Sequence, residues 1–489
     1  MALTNQLKNQ HLMWRAGFGP AAEQLGDLSK FTPKQFYKAL VKASDKKPEY
    51  INVAGDYLNG LYMGIEEIGR QQKKEMSQEE RKKIQQKNRE GVRNLNMYWM
   101  HEMVNSASQL REKMAFFWHG HFACRNLNVF YQQGLLDVIR RNALGNFGTL
   151  LKGVSRSAAM LNFLNNQQNR KDHPNENFAR EVMELFTIGR GHYSEHDVKE
   201  AARAFTGWSS NLKGEFLFRK FQHDFGSKTV LGKTGNFDGE EVLDILLDQK
   251  QTAKYISQKL YKFLVNENPD PAKVEWMADR FFKSGYEIST LLEDVFTSDW
   301  FYEEKNIGAK IKSPVELLTG IQRMLPMKLE NDEALMLIQR VLGQLLFYPP
   351  NVAGWPGGRS WIDSSSLMMR MRIPQLINDE DEMNVRPKDD DDQMMGRNDP
   401  DEDPKGKATR KMGKANRPLN ADVEWKLVVK NFESVPKEEL GEAISKTLLQ
   451  TKSSVGADLI KQYSDYTGRE NFIKTATIQI MSTPEYQLC

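Results

Sequence analysis

Two segments of this chain open with the same box: a hydroxyl residue, a proline, then glutamine or glutamate three residues after the hydroxyl. They are Thr32-Pro33-x-Gln35 and Ser313-Pro314-x-Glu316. In such a box the hydroxyl accepts one orphan amide proton of a helix start and the Gln or Glu side chain accepts another. Proline at the first helical position has no amide proton to satisfy. Ser194-x-x-Asp197 and Ser77-x-x-Glu80 are weaker versions. Apolar residues then repeat at helical spacing. Val242, Leu243, Leu246 and Leu247 form one stripe, Ile256, Leu260, Phe263 and Leu264 a second, and Val274, Met277, Ala278, Phe281 and Phe282 a third that ends at Gly285. This periodicity predicts a mainly α protein, a multi-helix globular array with the stripes as core. The clearest exception is 214–231, where Phe216 and Phe218 alternate with Leu217 and Arg219 and Gly226-Ser227 supplies a turn. A short β-hairpin is expected there. The breaker-rich stretch 347–366 is expected to be an irregular loop anchored by Trp355 and Trp361.

The charge pattern divides the chain further. Residues 70–93 hold nine Lys/Arg against four Asp/Glu, and read as a polar insertion. Residues 379–403 hold twelve acids against three bases, and 404–417 hold six bases and no acid. Neither half has the apolar content that would offset the entropy of ordering it. The expected organisation is therefore a main helical domain over 1–378 with the 70–93 insertion, a disordered charged linker or loop over 379–417, and a C-terminal helical segment over 418–489 packing on the main domain.

Composition excludes several function classes. The net charge of +3 argues against a nucleic-acid coat. Two cysteines, Cys124 and Cys489, exclude a disulfide framework and a four-thiolate zinc module. The first twenty residues contain no secretory signal, and no stretch approaches 18 uncharged apolar residues, so no membrane span is expected. Cytoplasmic placement follows as the simplest reading. GxGxxG, GxxxxGK[ST], HExxH and GxSxG are absent.

What remains is polar residues in apolar surroundings. His119 and His121 sit in the aromatic run Phe116–Phe122. On an extended segment the two rings would share a face and could bind one metal; on a helix they would point about 200° apart. Each could equally cap a helix end or donate to a carbonyl. In Asp172–Phe186, Glu181 and Glu184 are three apart, and Arg180 can reach Glu176 or Glu184. Paired carboxylates suit metal binding or general acid–base work, and equally suit an amphipathic helix with surface ion pairs. His192, His196, Asp197 and Glu200 are weaker candidates, because Ser194 as a cap explains Asp197. The Asp beside the His in His223-Asp224 could orient the ring or supply a metal oxygen.

Taken in order, these motifs resemble one family. They run through His11-Leu12-Met13-Trp14-Arg15-Ala16-Gly17-Phe18-Gly19, Arg111-Glu112-Lys113-Met114, Asn175-Glu176-Asn177-Phe178-Ala179-Arg180-Glu181, Asp197–Trp208, Lys312-Ser313-Pro314-Val315-Glu316 and Pro350–Gly358. The sequence is similar to the bacterial "domain of unknown function 1800" family over nearly its whole length. The resemblance implies a largely α-helical fold and no assigned activity. It also implies a partner, a phosphatase- or sulfatase-like protein of the "domain of unknown function 1501" family, and leaves open export alongside that signal-bearing partner.

Two function classes fit these residues. One is a metal-dependent, hydrolase-like enzyme. There His119, His121, His223 and Asp224 would hold a divalent metal ion, Glu181 and Glu184 would supply ligand and general base, and Arg180 would stabilise developing negative charge. The other is a non-catalytic helical scaffold or partner, in which the same residues form a buried network that fixes helix packing. The first requires His119 or His121 within metal-bridging reach of Glu181 or Glu184, in a pocket open to water.

Overall fold

The helix boxes work as caps. Gln35 N donates to Thr32 Oγ1 at 3.3 Å while Thr32 N donates to Gln35 Oε1 at 3.0 Å. Ser313 and Glu316 reciprocate in the same way at 3.3 and 2.8 Å, as do Ser194 with Asp197 and Ser77 with Glu80. A computed structural model describes residues 3–55, 77–329, 331, 333–378, 421–451 and 462–489.

The elements in chain order begin with helices α1 (Asn5–Arg15), α2 (Pro33–Ser44), α3 (Gln78–Asn105), α4 (Gln109–His121), α5 (Val129–Asn142), α6 (Phe147–Arg156), α7 (Ala158–Phe163) and α8 (Asn177–Glu181). A π-helical turn, Val182–Thr187, continues α8 and is followed by α9 (Glu195–Ala204). Four short strands come next: β1 (Trp208–Ser210), β2 (Phe216–Phe218), β3 (Lys228–Val230) and β4 (Lys233–Gly235). The second half carries α10 (Gly239–Leu247), α11 (Lys250–Leu264), α12 (Pro271–Lys283), α13 (Ile288–Phe296), α14 (Pro314–Met324), β5 (Met327–Leu329), α15 (Glu333–Val341) and α16 (Ser364–Asn378). After the charged segment come β6 (Ala421–Val423), α17 (Trp425–Lys430), α18 (Leu440–Leu448) and α19 (Arg469–Met481). The architecture is mainly α, with only two-stranded antiparallel ribbons among the described residues.

The three apolar stripes are buried in one core, with Leu247, Phe263 and Phe282 at its margin. Strands do fall in 214–231, but not as one hairpin. β2 pairs back with β1 in the register Trp208↔Phe218, and β3 pairs forward with β4 in the register Val230↔Lys233. Gly226-Ser227 lies in the link between the two ribbons rather than at a hairpin turn. The alternation around Phe216 marked a strand correctly, but its partner lay upstream, beyond the window that the turn suggested.

The described part of the 70–93 segment is the start of α3, exposed as far as Lys87. From there the same helix turns inward. Asn88 Oδ1 accepts from Val129 N at 3.0 Å, and Gly91 and Val92 are buried. The 379–417 segment lies outside the described residues. Beyond it, β6 pairs with β5, Gln10 on α1 donates to the carbonyls of Lys446 and Thr447 at 2.8 Å each, and Lys310 exchanges backbone bonds with Cys489.

Buried charge ties the helices together. Arg111, Glu112 and Lys113, consecutive on α4, are all buried. Arg140 on α5 grips Glu112 with Nε and Nη2, at 3.0 and 2.9 Å, and Trp99 Nε1 on α3 donates to the same carboxylate at 3.0 Å. Lys113 pairs with Glu316 at the start of α14, which also takes Lys310 at 3.2 Å. A buried carboxylate needs such partners, because removing a charge from water costs several kcal/mol.

Candidate functional site

α4 runs helically through His121. Residues two apart on a helix diverge by about 200°, and the two imidazoles therefore enter different surroundings. His119 sits in an aromatic box. Its ring centroid is 5.0 Å from both Trp99 and Phe347, and it stacks on Trp355 at 5.5 Å and 23°. Neither ring nitrogen meets a hydrogen-bond partner among the described residues. Burial alone pushes its pKa down to about 3. Trp355 thus anchors the irregular loop as the sequence suggested, and Trp361 further along it is buried.

His121 faces the π turn and α11. Its Nε2 lies 3.2 Å from Phe186 O and its Nδ1 3.2 Å from Lys259 Nζ. A carbonyl only accepts and an ammonium only donates, so both contacts are satisfied by a neutral ring protonated on Nε2. Burial, and then the Lys259 charge, hold its pKa well below the usual value. Lys259 also donates to Leu185 O at 3.2 Å and lies 4.9 Å over the Tyr255 ring. Burial lowers its pKa to about 8. The carbonyls of 185 and 186 are available because they fall in the last turn of the helix, where carbonyls have no helical partner, and Lys259 and His121 use them. A single side chain on α11 thereby joins α4 to the π turn.

Glu181 and Glu184 lie at the junction of α8 and the π turn. Glu184 accepts from the Tyr193 hydroxyl at 2.7 Å and pairs with Arg190 at 2.6 Å. The Tyr193 bond, more than any other contact, lowers its pKa, while burial and that carboxylate raise Tyr193 to about 12. Glu181 stands half-buried nearby, its pKa raised by burial first and by Glu184 second. Arg180 lies near enough to lower the pKa of both carboxyls, but its hydrogen bonds go elsewhere. It takes Glu195 with two bonds of 2.7 Å and Glu176 with one of 3.0 Å.

His223 and Asp224 belong to a third place. His223 Nδ1 donates to Thr206 O at 2.9 Å, and burial lowers the ring's pKa. Asp224 is held by Arg203 Nε and Nη2 at 2.7 and 3.2 Å, and chiefly by that contact its pKa stays below the usual carboxylate range. The weaker candidates resolve locally. Asp197 Oδ2 caps Ser194 N at 2.9 Å while its other oxygen accepts from Leu231 N at 2.7 Å, and Glu200 pairs with Arg203 at 2.9 Å.

The seven residues expected to converge are therefore distributed. His121 approaches the π turn that carries Glu184, with Lys259 and Tyr255 between them. His119 faces the 347–362 loop, and His223 and Asp224 anchor the β1–β3 region. Among the described residues, no group of three or more His, Cys, Asp or Glu side chains could hold a metal ion. The helical course of α4 sends the two imidazoles apart, His119 into the aromatic box with Trp355 and His121 towards Phe186 O and Lys259, so they do not share one metal position.

Lys259 and Tyr193 were not singled out from the sequence. Lys259 had a signal: it lies three residues after Ile256 and four before Phe263, on the stripe itself, where a lysine must find a buried partner.

The chain matches the model of a family described as "Protein of unknown function (DUF1800)" across residues 11–488. The chain belongs to the DUF1800 family. No curated protein and no solved structure matches it. In this DUF1800 chain the motif stretches lock onto one another. Lys113 of the Arg111–Met114 stretch pairs with Glu316 of the Lys312–Glu316 stretch. Lys113 Nζ also donates to Trp14 O of the first stretch at 3.0 Å, and Lys312 Nζ lies 3.7 Å over the Trp14 ring.

Proposed function

We propose that this DUF1800 chain acts as a non-catalytic helical scaffold, and that its partner is a phosphatase- or sulfatase-like protein of the "domain of unknown function 1501" family. One observation carries the reading: charged groups of the motif stretches are paired within the fold. Glu112 is held by Arg140, Lys113 by Glu316, Arg180 by Glu195, and Arg203 by Asp224. A catalytic centre leaves titratable groups facing a common space where a substrate can sit. Here they hold helices in register, and His121, His223 and Glu184 pin the π turn and the strand region.

The test is co-expression with the neighbouring phosphatase-like protein, followed by affinity capture and gel filtration. A stoichiometric complex supports the reading, and failure to associate overturns the partner assignment. Metal analysis of the purified chain and of a His119→Ala/His121→Ala variant is the companion measurement. A stoichiometric metal lost in that variant would restore an enzymatic site.

A further inference from the structure

Between β2 and β3 the chain holds four large apolar side chains in water. Leu217 and Phe218 are about two-fifths exposed, while Phe221 and Phe225 are 74% and 58% exposed. The segment beneath them is clamped. Lys171 N donates to Gln222 O at 2.9 Å, and Arg219 N donates to Gly207 O at 2.8 Å. Asp224 N donates to Thr206 Oγ1 at 2.8 Å and the His223 ring to Thr206 O at 2.9 Å, while the Asp224 carboxylate is gripped by Arg203. Gly207, at φ +79°, makes this close approach, since a Cβ there would lie 2.7 Å from Arg219 O. His223 points inward, with Phe218 and Phe225 packed edge-on against it at 5.1 and 4.7 Å. The rings are therefore held outward by a fixed backbone.

Cations surround them. Arg219 and Lys220 lie on the segment, and exposed Arg170 and Lys171 lie alongside, joined by the Lys171–Gln222 bond. Of the acids at this face, Asp224 is paired with Arg203, while Glu215, which accepts from Asn211 at 2.7 Å, and Asp172 each add an exposed negative charge, fewer than the four cations. Exposed apolar clusters mark interaction sites. The chemistry of this one is apolar tips flanked by positive charge.

We propose that this platform seats the protein on an anionic lipid surface. Phe221, Phe225, Phe218 and Leu217 enter the boundary between headgroups and acyl chains, and the cations face the lipid phosphates. A bilayer is favoured over a folded partner because Phe221 and Phe225 stand 74% and 58% exposed with the cations Arg219, Lys220, Arg170 and Lys171 alongside. The apolar groove of about 1390 Å³ in this molecule is lined from α2, α3 and α14, and contains none of these residues. It fits better than single-stranded nucleic acid because aliphatic Leu217 shares the patch and two of the three rings are turned edge-on around His223, so they do not form a row of flat faces for bases. The inference is independent of the scaffold reading: it concerns where the chain sits, whatever it holds.

The experiment is flotation of the full chain with vesicles of phosphatidylcholine and phosphatidylglycerol in equal parts, and with phosphatidylcholine alone. Binding to the anionic vesicles is expected to be at least tenfold stronger than to neutral ones and to weaken with added salt. Phe221→Ser/Phe225→Ser, at exposed positions, should lower it at least tenfold with an unchanged circular-dichroism spectrum. In a Phe221→Trp variant, brominated lipid should quench the new tryptophan. Absence of flotation with anionic vesicles at low salt would overturn the proposal. So would unchanged binding in the double serine variant, or binding of single-stranded DNA in place of vesicles.

Discussion

Glu316→Gln is the substitution whose effect the structure defines most sharply. The carboxylate is 1% exposed. It accepts from Lys113 and Lys310, and its second oxygen accepts from Ser313 N at 2.8 Å. Glutamine keeps an oxygen for Ser313 N, so the helix cap survives and the change isolates the charge. Two ammonium groups are left without their counter-ion, and Lys113 is already lowered to about 8 by burial with Glu316 in place. Removing one partner of a buried pair costs about 3–5 kcal/mol. A ceiling exists, because a lysine can instead lose its proton, which at pH 7 costs near 5 kcal/mol from a reference pKa of about 10.4. With unfolding entropy of about 2.1 cal/mol/K per residue, a cooperative unit of roughly 400 residues has an entropy near 0.85 kcal/mol/K, so Tm should fall by about 4–6 °C. The assay is calorimetry of the full chain at pH 7, with Glu195→Gln as the control. That exposed carboxylate is 69% accessible beside Arg180, so its removal should shift Tm by no more than about 1 °C. Replacing Lys113 and Lys310 with Met and Glu316 with Leu together should restore most of the loss, since an apolar cluster needs no counter-ion. Equal, small shifts for Glu316→Gln and Glu195→Gln would refute the reasoning.

Three further outcomes follow from the same chemistry. Lys312, buried between Trp14 and Tyr486, is lowered by burial to about 7, so between pH 7 and about 10.5 the unfolded chain binds the extra proton and this group makes stability rise with pH; below 7 both states are protonated and its slope vanishes. Lys312→Met should flatten that rise in Tm measured from pH 7 to 10, and an identical profile would count against a buried ammonium. Nitrogen-15 imidazole spectra should show His119 neutral down to about pH 4, in keeping with its pKa of about 3, and His121 neutral and protonated on Nε2 at pH 7; a ring titrating near 6.5 would contradict the burial of either. Glu181→Gln should be neutral or slightly stabilising at pH 7, because burial and Glu184 raise the Glu181 pKa and so disfavour its charged form in the folded chain; a loss above about 1 kcal/mol in denaturant titration would show that its charge is paired.

The helices and the core were legible because they depend on short-range information. Capping needs residues three apart, and Ser313 with Glu316 delivered both hydrogen bonds that the box implies. Stripe spacing needs residues within one or two turns, and Ile256, Leu260 and Leu264 are buried as the periodicity required. The site was less legible. His119 and His121 are close in sequence, but α4 is helical through both, and a 100° turn per residue separates side chains that an extended segment would have aligned. The strand pairing near 214–231 shifted for a related reason: alternation identifies a strand but not its partner, and Phe218 pairs with Trp208, on the side away from Gly226.

By itself the sequence determined that this is a mainly α protein of the DUF1800 family, with capped helices, apolar stripes and too few cysteines for a thiolate or disulfide framework. Only the tertiary structure decided what its polar residues face. The counter-ion of Lys113 lies 203 residues away in Glu316, and that of Glu112 lies on the next helix in Arg140. The proton acceptor of His121 is the backbone carbonyl of Phe186, in the last turn of its helix. Charge pairing and desolvation depend on distance through space, and no local pattern records which of the many lysines and glutamates will meet once the stripes have packed.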